Sequence, residues 1–483
     1  MTDPQTPTHE IRHFIAGEWT GTPTRERRNP ARPDDLVAVI ADGDAKTVDA
    51  AVRAAEEAQP AWAALPAPAR GTVLLDAAEI LRSRAERAAR DLVREEGKTL
   101  AEARGEVRRA IDVLRFYGGE AWRLGGDHLP SSVPGTFVYT RREPLGVVAV
   151  ITPWNFPIAI PAWKTAPALA AGNAVVLKPA ELTPVSVKHL ADCLTEAGLP
   201  AGVLNVVNGP GSEIGDDLTG DPRVAAVSFT GSVAVGRHIH SVVSARHARV
   251  QLEMGGKNPL VVLDDADPAT AARIAAAGGF GLTGQACTAS SRVITTPGVH
   301  DAFVAALLKE ADRYRPGDGL AEGTVMGPVV SEPQLATDRR YLDLAAQEGG
   351  QVLCGGARPE GLYQAPAVVT GVHPEHTIAR EEIFGPVIGV LTADDLDSAI
   401  DLANDVPFGL AAGIVTRDLG AAHRFAARVQ AGVVKINRPT TGLDLNVPFG
   451  GVKDSSTNTY REQGSTALDF YTWTKSVYVG FED

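Results

Sequence analysis

Val147-Val148-Ala149-Val150-Ile151, Ala174-Val175-Val176-Leu177, Leu204-Asn205-Val206-Val207 and Val224 to Thr230 are four short apolar runs that follow one another along the chain. None alternates between apolar and polar residues as a strand with one wet face does. Each reads as a strand buried on both sides, the kind found in parallel sheets. Helical patterns separate them. One covers Trp163 to Ala171, and a second covers Val187 to Ala197 and stops at Gly198 and Pro200. A third helix opens after Gly231. Strand alternating with helix at this spacing predicts an α/β fold with a doubly wound parallel sheet.

A second alternating region begins at Leu260-Val261-Val262-Leu263 and runs to about Ile436, with strands near 292–296, 386–391 and 412–416. It reads as a second α/β unit. Before the first sheet, residues 13–20 form a short strand and turn. From Asp44 to Trp62, apolar residues recur at helical spacing (Val48, Ala51, Val52, Ala55, Ala58). Two more helical stretches lie near 67–95 and 98–123. Tyr471, Trp473 and Val477 make the C-terminal residues more apolar than a solvated tail, so this segment is expected to pair, with another subunit as one partner.

The chain has 483 residues, 44% hydrophobic and 22% charged, as in ordinary soluble globular proteins. Its formal net charge of -13 argues against nucleic acid or an anionic membrane as the main partner, since both need a basic surface. Three cysteines, Cys193, Cys287 and Cys354, make no disulfide framework, and their spacing fits no metal site. A reducing cytoplasm is the expected location. Met1 to Glu10 is polar and reads as no secretory signal. No apolar run is long enough to span a membrane.

Several short motifs carry chemistry. In Gly284-Gln285-Ala286-Cys287-Thr288, small neighbours let a substrate approach the sulfur, although a free cysteine is more often a buried core residue. In Gln251-Leu252-Glu253-Met254-Gly255-Gly256, Glu253 stands at the C-terminal end of an expected strand, where open sheets build their sites. Alone it reads as a surface charge. A cysteine that forms a thioester, however, needs a base to activate water. In Pro153-Trp154-Asn155-Phe156-Pro157, the Asn155 amide is able to donate to a developing oxyanion, or to serve a packed turn. Gly231-Ser232 opens a helix whose N–H groups suit a pyrophosphate, without a Gly-x-Gly-x-x-Gly pattern. Lys178 and Glu181, after the second strand, suit ribose hydroxyls or a plain surface ion pair.

Together, and in this order, these motifs resemble the aldehyde dehydrogenase superfamily from Phe14-Ile15-Ala16-Gly17-Glu18-Trp19 to Pro448-Phe449-Gly450-Gly451. The resemblance implies a Rossmann-like NAD(P)-binding domain (1–123 and 146–254) and an α/β catalytic domain (255–436). It also implies a β-arm for oligomerisation (124–145 and 457–483) and a homo-dimer or homo-tetramer. It makes Cys287 the nucleophile and Glu253 the general base, and it puts Asn155 with the Cys287 N–H in the oxyanion hole. Lys178 and Glu181 would hold the adenine ribose, Gly231 and Ser232 the pyrophosphate, and Glu382 and Phe384 the nicotinamide end, with Trp154 lining the cofactor cleft. The implied reaction takes an aldehyde through a thiohemiacetal, hydride loss to the nicotinamide, and hydrolysis of a thioester. Glu181 would favour NAD by repelling a 2′-phosphate, with NADP left open.

Within the family, Val250 to Pro259, Gly278 to Arg292 and Ile378 to Phe384 resemble the 2-oxoglutarate semialdehyde (2,5-dioxopentanoate) dehydrogenases. The arginines that succinic semialdehyde dehydrogenases use are matched here by Trp163 and Gly281. Arg438 stands where similar enzymes carry an apolar residue, and it is the expected partner of an anionic substrate group. Ser455-Ser456-Thr457-Asn458-Thr459-Tyr460 lacks the glycines usual before Arg461-Glu462, which predicts a loop that reshapes the pocket or an interface. The alternatives are a dehydrogenase of another anionic aldehyde, such as a phosphonate-bearing one, a catalytically silent cofactor-binding member, an acylating enzyme dependent on coenzyme A, and an esterase.

Overall fold

The computed structural model describes residues 9–481. The polar start from Met1 to Thr8 and the last two residues of the expected arm lie outside the described residues.

The four apolar runs are parallel strands, and Arg249–Met254 adds a fifth. Spatially they run Arg249–Met254, Val224–Gly231, Val147–Ile151, Ala174–Lys178, Leu204–Val206, and the hairpin His13–Ile15 and Glu18–Thr20 extends that edge antiparallel. All five residues of Val147–Ile151 and of Ala174–Lys178 are buried, as unbroken apolar runs require. Among the parallel strands the chain starts in the middle of the sheet, builds outward through Leu204–Val206, then returns to the other side of Val147–Ile151 with Val224–Gly231. The order therefore reverses between those two strands, and a crevice opens beyond their carboxyl ends.

The second sheet runs Gln351–Cys354, Ala367–Thr370, Val387–Thr392, Ser290–Thr295, Asn258–Val262, Ala411–Val415, Val433–Ile436, parallel except for the first strand. No helix among the described residues is long and apolar enough to cross a membrane.

The stretch read as one helix over 67–95 is two, Ala67–Ser83 and Ala85–Glu96, with Arg84 outside helical geometry (φ -109°, ψ 6°). Neither Gly nor Pro marks that joint, so the periodicity runs through it. Gly97 then closes the second helix in left-handed backbone (φ 109°), and Thr99 and Glu102 form a reciprocal cap for Leu100–Glu120. The helix expected from Trp163 begins earlier, at Ala159. Its first turn is capped from outside, because the Glu106 carboxylate accepts from the N–H groups of Ile158 and Ala159. All thirteen residues of this helix are buried.

Thr136–Pro144 and Thr472–Gly480 pair antiparallel along their full length, and His128–Leu129 adds a short third strand. Phe137, Trp473, Tyr478 and Phe481 are exposed on this ribbon. The chain from 457 to 471 does not belong to the ribbon. Phe470 and Tyr471 are buried in the core around the first sheet, and Ser456, just before the segment, bridges to Glu253.

Candidate active site

Three segments meet at the crevice. Thr152 to Ile158 follows Val147–Ile151, Gly231 ends the neighbouring strand and Ser232 follows it, and the second sheet contributes Cys287 and Glu382. These last two precede their strands, Ser290–Thr295 and Val387–Thr392. The carboxyl edge of one sheet thus faces the amino edge of the other.

Cys287 sits on a constrained loop. Leu282 and Thr283 both have φ 55° and Gly284 has φ 67°, a left-handed run that costs energy at the two non-glycine positions. Outside contacts hold it. The Leu282 N–H donates to Glu102 at 2.7 Å, and Thr283 Oγ1 donates to the Gly327 carbonyl at 3.1 Å. Asn258 Nδ2 donates to the carbonyls of Cys287 (2.8 Å) and Ala289 (2.9 Å). A Cβ on Gly284 would stand 2.2 Å from the Gly385 carbonyl oxygen, so only glycine fits there.

Two cavities open on Cys287. One, of about 380 Å³, is lined by Phe156, Trp163, Arg109 and Leu443 among others. The second, of about 230 Å³, is lined by Trp154, Asn155, Gly231, Ser232, Glu382 and Phe384. Among the described residues, Cys287 is the one side chain in the wall of both.

The Asn155 amide is buried, and its Nδ2 donates to the Gln285 carbonyl at 2.9 Å, two residues before the cysteine. An amide nitrogen carries two hydrogens, so one remains for a substrate oxygen. The Asn155 backbone carbonyl accepts from Lys98 Nζ at 2.7 Å, and Lys98 is paired with Glu106 at 2.6 Å.

Burial pushes the Cys287 thiol up to about 12, and the nearby carboxylates of Glu382 and Glu253 add to the shift. It rests as a thiol. Glu253 is also pushed well above the ordinary carboxylate range, by burial and then by the charge of Glu462. It lines neither cavity here and accepts from the Gly451 N–H (3.1 Å) and from Ser456 Oγ (3.3 Å). Lys164, buried on the helix Ala159–Ala171, ion-pairs with Glu462 and donates to Ser228 Oγ at 2.9 Å. Lys164, Glu462, Lys98 and Glu106 escaped the sequence reading. Their charges sit inside helical or loop patterns, and nothing local says that they are buried together.

In the second cavity, Trp154 and Phe384 meet edge to face with centroids 5.4 Å apart. Glu382 accepts from the Gly256 N–H at 3.0 Å, and burial pushes it up to about 7. Ser232 caps the helix Val233–Ala245 by accepting from the Val235 N–H, and Gly231 and Ser232 at this helix start line the cavity. Lys178 is buried, which pulls it down to about 8, while Glu181 is exposed beside it.

Arg438 does not join the site. It is exposed and lies outside the wall of either cavity. The loop turns at buried Thr440, whose Oγ1 reaches the Thr288 carbonyl at 2.6 Å. Thr441, Gly442 and Leu443 therefore face the larger cavity. The altered 455–460 loop closes over Glu253 instead of opening the pocket. Ser455 Oγ donates to the Gly255 carbonyl at 2.8 Å, and Asn458 takes the left-handed backbone (φ 58°) that glycine would otherwise supply.

Residues 19–477 match the model of the aldehyde dehydrogenase family. The chain is 48% identical to the alpha-ketoglutarate semialdehyde dehydrogenase of Haloferax volcanii, over 99% of each chain. It is 46% identical to the alpha-ketoglutaric semialdehyde dehydrogenase of Bacillus subtilis, over 97% of each. Its fold matches the crystal structure of betaine aldehyde dehydrogenase from Staphylococcus aureus in complex with NAD+ (TM-score 0.94, 34% identity), covering 97% of this chain and 95% of that one.

Proposed function

The chain belongs to the aldehyde dehydrogenase family, and from that membership we propose that it oxidises 2-oxoglutarate semialdehyde to the dicarboxylate with a nicotinamide cofactor. The observation that carries the reading is Cys287 in the shared wall of two cavities, one lined by Phe156, Trp163 and Leu443 together with Glu102, Glu106 and Arg109, the other by the residues suited to a dinucleotide.

Cys287 Sγ attacks the aldehyde carbon as the thiolate, its proton leaving to solvent, so that the Glu253 carboxylate stays available as the base for the later hydrolysis. The free N–H of the Asn155 amide and the Cys287 backbone N–H hold the oxygen that becomes negative. When bound, the cofactor supplies the hydride acceptor. Glu253 then takes a proton from the water that cleaves the thioester on Cys287.

The residues present fit such a cofactor. Lys178 and Glu181 would hold the adenine ribose, the helix start at Gly231 and Ser232 the pyrophosphate, and Trp154, Glu382 and Phe384 the nicotinamide end. The exposed Glu181 carboxylate supports NAD over NADP, whose 2′-phosphate it would repel. A base in the Glu253 position supports hydrolysis over transfer to coenzyme A. The names of the two semialdehyde relatives do not favour a phosphonate-bearing aldehyde or a silent member. The exposed aromatic side chains of the ribbon support a homo-oligomer, and the acidic, cysteine-poor composition a cytoplasmic one.

The test is kcat/KM for 2-oxoglutarate semialdehyde, succinic semialdehyde, a phosphonate-bearing aldehyde and pentanal, each with NAD and with NADP. A clear preference for the first with NAD is expected. A flat profile, or a preference for another aldehyde, discards the named substrate.

A further inference from the structure

Besides Cys287, the larger cavity has three ionisable groups in its wall, Glu102, Glu106 and Arg109. Two are committed to the scaffold. Glu102 caps its own helix through Thr99 and accepts from the Leu282 N–H. Glu106 pairs with Lys98 and caps the helix that begins at Ala159. Arg109 is different. It lies on the same helix as these two, Leu100–Glu120, half-buried, and it makes one hydrogen bond, from Nη2 to the side-chain oxygen of Gln463. No carboxylate among the described residues lies within ion-pair distance of it. Asp112 and Asp444 act on it only at longer range.

A guanidinium has five N–H donors and keeps its charge, so a half-buried one with a single neutral acceptor is incompletely satisfied. Burial lowers its proton affinity, which records the same deficit. The rest of the wall cannot supply the missing acceptor, because both carboxylates are spent. Trp163, in the same wall and 8% exposed, has an indole N–H with no acceptor either. The pocket is rich in donors and short of acceptors, and its floor is the reactive cysteine.

We propose that Arg109 binds the carboxylate of the substrate, and so sets the preference of this enzyme for acidic over neutral aldehydes. The inference rests on the semialdehyde reading above. Gln463 holds one edge of the guanidinium in place and leaves the other edge free for a two-point contact with a carboxylate, which suits Arg better than Lys.

The test is steady-state kinetics of Arg109→Met and Arg109→Lys with 2-oxoglutarate semialdehyde and with pentanal, a neutral aldehyde of the same carbon count. In Arg109→Met, KM for the acidic aldehyde should rise about 10- to 100-fold, the range for losing a hydrogen bond to a charged group. Its kcat should change little, and kcat/KM for pentanal should hold or rise. Arg109→Lys should recover part of the KM. Pentanal turnover doubles as the control for folding. An equal loss on both aldehydes would make Arg109 a structural residue and overturn the proposal, as would an unchanged KM for the acidic one. If the wild-type enzyme prefers a different acidic aldehyde and Arg109→Met removes that preference, the substrate name fails and the role of Arg109 stands. A wild-type enzyme that prefers pentanal sinks both.

Discussion

Lys98 Nζ donates to the backbone carbonyl of Asn155 at 2.7 Å from a site that is 2% exposed, with Glu106 as its counter-ion. The buried pair ties the end of one helix to the loop after the central strand of the first sheet. It also places Glu106 where it caps the helix that follows the loop. The orientation of Asn155 toward the cysteine loop therefore depends on charges from another part of the chain.

Lys98→Met should destabilise the protein by about 3–5 kcal/mol, because it leaves Glu106 buried without its cation. In the double variant with Glu106→Gln the loss should fall well short of the sum of the single variants. Denaturant unfolding measures both. Additive losses would mean that the two side chains act independently.

Cys287→Ala should abolish dehydrogenase turnover with little change in folding, since the side chain faces cavities on two sides and fills no core. The checks are steady-state rate and Tm. Residual turnover above about one part in a thousand of wild type would move the nucleophile elsewhere.

Glu253→Gln should retain a rapid first formation of reduced cofactor, because acylation releases the Cys287 proton to solvent, while steady-state kcat falls by about 100- to 10,000-fold. Stopped-flow separates the two phases. A variant that keeps wild-type kcat would exclude Glu253 as the base for hydrolysis.

A thiol pushed up to about 12 is almost wholly protonated at neutral pH. The thiolate is the reactive form, so alkylation of Cys287 by iodoacetamide should quicken about tenfold per pH unit from pH 7 to 9 in the cofactor-free protein. Mass spectrometry identifies the modified residue. A plateau beginning near pH 7 would show a thiolate already formed.

Gly284→Ala should lower both stability and activity. The new Cβ would stand 2.2 Å from the Gly385 carbonyl oxygen, and the backbone is left-handed at φ 67°. A stability cost of about 1–3 kcal/mol is expected from strain of this kind. A wild-type Tm together with wild-type kcat would mean that the loop relaxes freely.

The strands of the first sheet and the four central strands of the second were legible because unbroken apolar runs and turn residues are local properties of the chain, whereas Gln351–Cys354, Ala367–Thr370 and Val433–Ile436 went unread. The strand–helix alternation carried the doubly wound topology, and with it the crevice beyond Val147–Ile151 and Val224–Gly231. The candidate residues Cys287, Glu253 and Asn155 were legible as motifs, since their small or rigid neighbours adjoin them in sequence. Tertiary structure decided what those residues meet. Glu253 faces Gly451 and Ser456, 198 and 203 positions away, and Lys164 reaches Glu462 across 298 positions. Arg438 and Arg109 are both arginines in polar surroundings, and no periodicity tells them apart. The turn at Thr440 leaves the first in solvent, while the caps made by Glu102 and Glu106 leave the second as the uncompensated charge in the pocket wall. Sequence patterns report which face of an element is apolar. They do not report which buried charges find partners, because that depends on where separate elements stop and how they pack.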